Sequence, residues 1–186
     1  MNVPGLYYFD NMITNSSNII TNLDSTEWSK LSTNPNSRMV KHYGYKYDYK
    51  TYNIKQKCQD IPNFLFPLQN TLITKCKELN LIDNSYLFNQ CIVNNYQPGQ
   101  GISKHIDVKS YGDVIGCFTL GSTGTMIFRK NKNKVELPVL KDSLYIMSGE
   151  SRYSWTHEMP SRKYDIINNN KVKRERRISV TFRNVS

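Results

Sequence analysis

Two histidines and one aspartate are the residues best suited to carry out chemistry in this chain. His105 and Asp107 lie two positions apart, and His157 follows about fifty residues later. Because alternate residues of a strand point to one face, His105 and Asp107 can reach one metal ion from a strand end, and His157 must come from another strand. Two imidazoles and a carboxylate suit Fe(II) and leave coordination positions open. The pattern predicts an open iron site, although a His-x-Asp tripeptide alone often arises by chance.

The elements that would position these residues fall into a helical first part and a second part of short strands. Apolar residues at helical spacing predict helices over 18–31 and 62–79, the latter with Pro62 near its start. Runs bounded by Gly, Pro, Asn or charged turns predict strands. We therefore expect an α+β fold that is mainly β, a jelly-roll double sheet with flanking N-terminal helices. The predicted strands are 87–96, 114–120, 124–129, 134–140, 143–148, 151–156 and 176–183.

Length and composition indicate one globular domain, residues 1–186, with a catalytic core over about 87–186. The chain has 13 Tyr and 7 Phe among its 186 residues, too many aromatics for a disordered chain. No secretory signal and no apolar run of about 18 residues is present in the sequence. Four scattered cysteines fit a reducing compartment. We expect an intracellular monomer, cytoplasmic or nuclear, with no membrane segment.

The charge balance favours a polyanionic partner. Lys and Arg number 25 against 15 Asp and Glu, which gives a formal net charge of +10. A net positive field attracts nucleic acid, although a Lys-rich surface can also be simply solvated.

A tyrosine-rich segment over about 36–56 is the predicted substrate lid. Aromatic residues at positions 43, 45, 47 and 49 alternate, so they would share one strand face, with Lys46 and Lys50 on the other. Aromatic faces beside cations suit a flipped or single-stranded base and its phosphates. A half-buried strand with tyrosines on its core face is an equal alternative. The predicted substrate contacts are Arg38, Lys41, His42, Tyr43 and Tyr45, with Arg38 and Lys41 meeting phosphate.

Three ordered motifs together resemble the AlkB family. Residues 94–107 (NNYQPGQGISKHID) are similar to its Asn-x-Tyr-x-Pro-Gly…His-x-Asp signature. Residues 149–157 (GESRYSWTH) are similar to its second signature, and residues 176–183 (RRISVTFR) contain its Arg-x5-Arg strand. The second signature is most similar to the branch that includes the tRNA wobble-uridine hydroxylase.

The resemblance implies an Fe(II)- and 2-oxoglutarate-dependent dioxygenase on a double-stranded β-helix, with O2 as the oxidant. His105, Asp107 and His157 would ligate iron. Arg177 would pair with the distal carboxylate of 2-oxoglutarate, for which a guanidinium is a suitable bidentate partner. The remaining cosubstrate residues implied by motif position are Asn94, Tyr96, Ser179 and Arg183.

Two positions depart from the family pattern. Ser179 stands where the bacterial founder has an Asn that contacts the cosubstrate, and a shorter hydroxyl can still hydrogen-bond there. Lys109 stands where the founder has an acid that reads alkylated adenine, so Lys109 is also a predicted substrate contact. A Lys cannot accept the hydrogen bond that the acid accepts there. The iron chemistry is therefore expected to be intact, whereas 1-methyladenine repair is in doubt.

The expected function is oxidation, by demethylation or hydroxylation, of modified bases in RNA, tRNA or alkylated DNA, bound as a single strand or a flipped base. An oxygenase acting on a protein side chain is the alternative, and a binding module with a dead site is a third possibility. The sequence leaves DNA against RNA, and repair against programmed modification, open.

Overall fold

The computed structural model describes residues 2–34, 37–49, 51 and 53–185. The predicted lid residue Lys50 lies outside these residues. The helices are α1 (Ser16–Asp24), α2 (Phe66–Glu78), preceded by a 3-10 turn (Asn63–Leu65), and α3 (Gly149–Tyr153). The strands are β1 (Leu6–Phe9), β2 (Ser29–Lys30), β3 (Met39–Tyr43), β4 (Tyr45–Asp48), β5 (Asn53–Lys57), β6 (Gln90–Tyr96), β7 (Ile102–His105), β8 (Ile115–Leu120), β9 (Gly124–Lys130), β10 (Asn133–Val139), β11 (Leu144–Met147), β12 (Thr156–Met159), β13 (Tyr164–Ile167), β14 (Asn170–Lys173) and β15 (Arg177–Arg183).

Two antiparallel sheets form the jelly roll that the sequence predicted. The larger has seven strands in the order β1-β11-β8-β15-β6-β3-β2, and the smaller has four in the order β10-β9-β12-β7. Residues of both sheets share one core, which includes Ile115 and Met147 from the larger sheet and Phe128 and Met159 from the smaller. The space between the sheets is therefore the interior in which a site can lie.

The helices cover the outer face of the larger sheet. Leu23 of α1 and Leu72 of α2 are fully buried in a second core with Phe118 and Phe182 of the sheet. Strand residues therefore alternate between a helix-facing core and the inter-sheet core. No helix in the part of the chain that the structure describes is long and apolar enough to cross a membrane.

Two predicted elements were wrong in part. The helix over 18–31 ends at Asp24, and Ser29 and Lys30 pair as an edge strand with β3. The strand over 151–156 is instead α3 followed by β12, because the Ser148 and Ser151 side chains form a capping box that begins a helix. The helix over 62–79 was confirmed within its ends, since the 3-10 turn runs directly into α2.

Candidate metal centre

Strands β7 and β12 bring the three predicted ligands together. His105 and His157 are cross-strand partners, and their ring centroids are 4.3 Å apart. Asp107 follows the end of β7, with Oδ1 3.8 Å from Nε2 of His105. One ligand atom from each of the three residues lies within 4.8 Å of the others. This spacing suits a single ion bound on one face by two imidazoles and a carboxylate.

The surroundings of the two imidazoles fit metal binding. Nδ1 of His105 lies 2.8 Å from the carbonyl of Ser103 and donates its N–H there, which leaves Nε2 on the side of Asp107. Burial lowers the pKa of His157 to about 3, so its ring is neutral. Nδ1 of His157 is buried without a hydrogen-bond partner among the described residues. The His157 ring is therefore in the neutral form that ligates a metal, and the Ser103 hydrogen bond sets which nitrogen of His105 faces the site.

Asp107 is held as a carboxylate by Arg183. Two guanidinium nitrogens of Arg183, Nε and Nη2, each lie 3.3 Å from Oδ2 of Asp107, and both side chains are almost fully buried. Burial alone raises the pKa of Asp107, but the charge of Arg183 outweighs it and holds that pKa well below its usual range. Arg183, predicted as a cosubstrate residue, thus lies directly behind a candidate metal ligand.

A second buried arginine, Arg152, holds the backbone of the same loop. Its guanidinium donates to four carbonyls, those of Asp107 (2.9 Å), Val108 (2.6 Å), Tyr111 (2.5 Å) and Gly112 (3.1 Å). The side chain is only 1% exposed. Arg152 lies within the second motif but had no predicted role, because four backbone acceptors from residues 40–45 positions away leave no local signal.

Strands β6 and β15 present the predicted cosubstrate residues on one inward face. Asn94 pairs with Ser179, and Tyr96 pairs with Arg177. Nδ2 of Asn94 lies 3.5 Å from Oγ of Ser179. All four line one cavity with the metal triad. The sheet therefore places these side chains on one face, as their spacing in the sequence predicted.

Arg177 has the features of a carboxylate partner at the end of this cavity. Its Nη2 donates to Oγ1 of Thr119 at 2.8 Å, whereas its Nε is buried with no partner among the described residues. An unsatisfied guanidinium N–H in a buried cavity is costly unless an acceptor binds it. The carboxylate of a 2-oxo acid supplies such an acceptor, and the cavity residues therefore fit 2-oxoglutarate.

Several residues of this cavity, and the arginine's partner Thr119, were not predicted from the sequence. Alternation along the strands that carry them could have found them, since inward positions of a strand recur every second residue. Burial raises the pKa of Tyr145 well above its usual value, so that phenol stays neutral. The missed lining residues are Ile102, Cys117, Met126, Tyr145, Met147 and Thr181.

A wider pocket of about 340 Å³ opens over His105 and Asp107. Its size is that of a small-molecule or nucleobase site. The rings of Tyr47 and Tyr49 meet edge to face with centroids 4.9 Å apart. Arg38 reaches across the wall, where its Nε donates to Oδ1 of Asn94 at 2.7 Å. The lining is Leu31, Arg38, Tyr47, Tyr49, Ile92, Asn94, Ile102, Ser103, His105, Ile106, Asp107, Val108, Tyr111 and Arg183.

Only some predicted substrate residues lie at this pocket. Arg38 lines it, and His42 stands behind the wall with Nε2 3.3 Å from the hydroxyl of Tyr49. Lys41 points the other way, donating to the carbonyls of Thr26 (2.8 Å) and Glu27 (2.9 Å). The structure therefore contradicts Lys41 as a phosphate contact, because its ammonium is already used inside the fold.

The tyrosines of the lid do not share one face. Gly44 takes a φ of +75°, which breaks the alternation between β3 and β4. Tyr43 is consequently buried in the helix-facing core, whereas Tyr47 packs against the inter-sheet core. Tyr43 and Tyr45 do not line the pocket within the described chain, and Lys109 is an exposed turn residue outside its lining. The burial of Tyr43 corrects its predicted role, whereas substrate contacts of Tyr45 and Lys109 stay predictions.

Two imidazoles and a carboxylate beside a buried arginine are the site of an iron oxygenase that consumes a 2-oxo acid. The chain belongs to the 2OG-Fe(II) oxygenase superfamily, whose sequence pattern matches residues 8–183. It is thus a 2-oxoglutarate-dependent Fe(II) dioxygenase that uses O2, as the triad and family together indicate.

Its sequence relatives confirm the AlkB resemblance. The chain is 40% identical over 153 residues to the uncharacterized protein L905 of Acanthamoeba polyphaga mimivirus, covering 80% of this chain and 70% of that protein. It is 36% identical over 170 residues to the tRNA (carboxymethyluridine(34)-5-O)-methyltransferase alkbh8 of Xenopus tropicalis, covering 88% of this chain. That match covers 26% of the frog protein, so this chain spans about a quarter of its length.

Solved structures agree on the fold. The structure of OsALKBH1 superposes with a TM-score of 0.72 at 14% identity, covering 98% of both chains. A Pseudomonas putida prolyl-4-hydroxylase superposes with a TM-score of 0.60 at 12% identity, covering 98% of this chain and 93% of that one. At such identities the likeness concerns the jelly roll alone.

Proposed function

We propose that this dioxygenase oxidises modified bases in nucleic acid, by demethylation or hydroxylation. The observation that carries the proposal is the pocket of about 340 Å³ over His105 and Asp107, which is also lined by Tyr47, Tyr49 and Arg38. Aromatic faces and a cation beside an oxidising centre suit a flipped base and its phosphate. The net charge of +10 and the tRNA- and DNA-directed names of curated relatives support the same substrate class.

In this proposal each part of the site has one task. His105, Asp107 and His157 hold Fe(II), and Arg183 and Arg152 keep the Asp107 loop in place. When bound, Fe(II) and 2-oxoglutarate activate O2 for oxidation of a substrate C–H bond, with the cosubstrate converted to succinate and CO2.

The cosubstrate is positioned by the strand pair β6 and β15. Arg177 offers Nε to the distal carboxylate while Thr119 fixes its other end. Asn94, Tyr96 and Ser179 supply polar contacts along the same inward face. Arg38 lines the wider pocket and donates to Oδ1 of Asn94, which also lines the cosubstrate cavity, so this hydrogen bond connects the two sites.

The deciding experiment measures succinate release and nucleoside mass changes after incubation with modified tRNA, alkylated single-stranded DNA and methylated RNA, in the presence of Fe(II), 2-oxoglutarate and ascorbate. We expect turnover on at least one nucleic acid and loss of it in His105→Ala. Turnover on peptides alone would support the protein side-chain alternative and overturn the proposal. Equal 2-oxoglutarate consumption by the wild type and His105→Ala would contradict the assigned metal centre.

The organisation of the chain enters the proposal as well. We infer one catalytic domain over residues 1–186 that acts as a monomer inside the cell. The four cysteines Cys58, Cys76, Cys91 and Cys117 are free thiols, as a reducing compartment requires. Size-exclusion chromatography with light scattering checks the monomer.

A further inference from the structure

A two-stranded hairpin, β13 and β14, projects after the strand that carries His157. Within the described chain its strands pair with each other and not with the two main sheets. Asn168 and Asn169 join them with φ values of 50° and 63°. Positive φ at both turn residues is the geometry of a tight two-residue hairpin turn, so the hairpin has a defined shape.

The hairpin has one face on the protein and one in solvent. Asp165 and Ile167 are buried, whereas Tyr164 and Ile166 are 45% and 61% exposed. Lys171 is the cross-strand partner of Ile166 and lies over the ring of Tyr164, with Nζ 4.4 Å from the centroid. We call the exposed side the outer face of the hairpin; it consists of Tyr164, Ile166, Lys171 and Lys173.

The base of the hairpin is fixed by a buried ion network. Asp165 accepts from Nε of Arg162 at 2.8 Å and from Nη2 of Arg174 at 3.0 Å. Arg174 also donates Nη1 to the carbonyl of Pro160 at 2.6 Å. Because the acid is saturated by two arginines and a buried pair is costly to break, the outer face is presented in one orientation.

This base is continuous with the rim of the substrate pocket. A methyl group added at Gly101 would lie 2.2 Å from the carbonyl oxygen of Met159, so the 99–101 turn packs directly on the segment leading into the hairpin. On its other side, Nε2 of Gln100 donates to the carbonyl of Ser37 at 3.1 Å. The next residue, Arg38, lines the pocket. The 99–101 turn therefore connects the side of the pocket that Arg38 lines with the segment that leads into the hairpin.

The charge on this path is uncompensated. Lys163 and Lys171 have no acidic partner among the residues that the structure describes. Lys173 pairs with Glu175 at 3.5 Å, but both side chains are largely exposed, with relative areas of 66% and 68%, so the pair is weak. An exposed aromatic ring beside free cations is the combination that stacks a base and neutralises phosphate.

We propose that the outer face of the hairpin binds the single-stranded RNA that flanks a nucleotide held in the pocket, with Tyr164 stacking on a base and Lys171 and Lys163 meeting phosphate. This inference rests on the proposed function, since it extends the same substrate beyond the reacting base. RNA is chosen over DNA because the frog relative is named for tRNA.

The test compares Tyr164→Ala and Lys171→Ala with the matched control Lys77→Ala, which removes an exposed lysine from α2 on the far side of the larger sheet. Fluorescence anisotropy with a short single-stranded RNA that is long enough to reach from the pocket to the hairpin, and with DNA of the same sequence, gives Kd at several salt concentrations. Loss of one stacked base should raise the Kd of Tyr164→Ala at least about five-fold. Lys171→Ala should reduce the magnitude of the salt slope by about 0.7, the value for one phosphate on a single strand.

Turnover separates this inference from the proposed function. The two hairpin variants should keep wild-type succinate release on a modified trinucleotide, which fills the pocket without reaching the hairpin. On the longer strand their KM should rise by the same factor as the Kd. If the wild type oxidises nucleic acid and both variants bind RNA as Lys77→Ala does, the hairpin inference is wrong. If the wild type oxidises no nucleic acid yet the variants still weaken RNA binding, the proposed function fails and the hairpin surface remains.

Two further results would also overturn the hairpin assignment. Weakened binding of DNA alone would show that the surface is not specific to the RNA named here. If the wild type binds neither RNA nor DNA at low salt, the outer face of the hairpin does not bind nucleic acid. Because both side chains are exposed, unchanged melting temperatures in the variants will show that any reduced affinity comes from the surface and not from unfolding.

Discussion

Replacing Arg152 by Lys tests whether the backbone of the Asp107 loop must be held from behind. The substitution keeps the positive charge and most of the aliphatic stem. Lysine, however, offers three N–H groups on one atom, whereas the arginine spreads its donors over four carbonyls of residues 107–112. At least two of those carbonyls should be left without a partner in Arg152→Lys.

The magnitude follows from how many hydrogen bonds the substitution removes. A buried acceptor without a partner costs about 1–3 kcal/mol, so two such carbonyls destabilise the fold by about 2–6 kcal/mol. This is a large share of the roughly 5–15 kcal/mol that stabilises a domain. Because Asp107 is one of three candidate ligands, a loosened loop should also weaken metal binding by about 10- to 100-fold.

The assay has two readouts on the same protein. Urea unfolding gives the free energy, and anaerobic calorimetric titration with Mn(II) gives the metal affinity. The KM for 2-oxoglutarate, measured at saturating Fe(II), should change little, because Arg152 does not line the cosubstrate cavity. The control is Arg129→Lys, which changes an arginine paired with Glu158 at 3.0 Å on the surface.

One outcome would refute the reasoning for Arg152. If Arg152→Lys folds with the stability of Arg129→Lys and binds Mn(II) as the wild type does, the four carbonyl hydrogen bonds do not position the metal loop. A fall in stability alone, with unchanged metal affinity, would limit Arg152 to a structural role and contradict the positioning claim.

Three further predictions concern the cavity, its wall and the lid. Thr119→Val removes the acceptor of Arg177 Nη2 and should raise the KM for 2-oxoglutarate about five-fold, equivalent to about 1 kcal/mol, in steady-state assays. Burial and nearby cations lower the pKa of His42 to about 4, so on acidification the unfolded chain binds a proton at a higher pH than the folded protein does. As pH falls from 6.5 to 4, the free energy of unfolding of the wild type should therefore fall by up to about 3 kcal/mol relative to His42→Gln in urea titrations. Gly44→Ala should lower the free energy of unfolding by at least about 2 kcal/mol in the same titrations, because φ is +75° and the new methyl group would lie 1.9 Å from the carbonyl oxygen of Asn89.

Each of these has a control and a result that contradicts it. Thr119→Ser keeps the hydroxyl and should keep the wild-type KM; equal values for Val and Ser would remove the role of Thr119. Parallel pH profiles for the wild type and His42→Gln would exclude His42 as the titrating group. Gly149→Ala shares a positive φ of +50° but has nothing within 4 Å of the new methyl group, so it should cost only about 1 kcal/mol.

The local signals in the sequence predicted much of the centre. His105 and Asp107, Asn94 and Tyr96, and Arg177 and Arg183 are each separated by an even number of residues, and an unbroken strand then places both members of each pair on one face. The helix over 62–79 was also predictable, because its apolar stripe has a period that only a helix satisfies. Motif order supplied the rest of the ligand set, including His157, which no local pattern connects to His105.

The arrangement of the lid residues did not follow from the sequence pattern. Alternation at Tyr43 and Tyr47 predicts a common face only if the strand continues between them. Gly44 interrupts the strand with a positive φ, and the presence of a glycine does not by itself predict that conformation. Which of two faces becomes the helix-facing core is then a property of how sheet and helices pack. Lys41 was predicted to contact phosphate because of its charge, yet its ammonium donates to the carbonyls of Thr26 and Glu27, about fifteen residues earlier in the chain.

The sequence by itself predicted the chemistry of this protein. Residue type and two-residue spacing indicated His105 and Asp107 as metal ligands, and the motifs that resemble the AlkB family implied His157 and the cosubstrate arginine Arg177. Only the tertiary structure decided which residues hold the site residues in place. Arg152 behind the Asp107 loop, Thr119 beside Arg177, and Arg38 on Asn94 are contacts between residues 40 or more positions apart. Their partners are backbone carbonyls and inward side chains that become neighbours only when distant strands pair and the sheets pack, so no spacing along the chain encodes them.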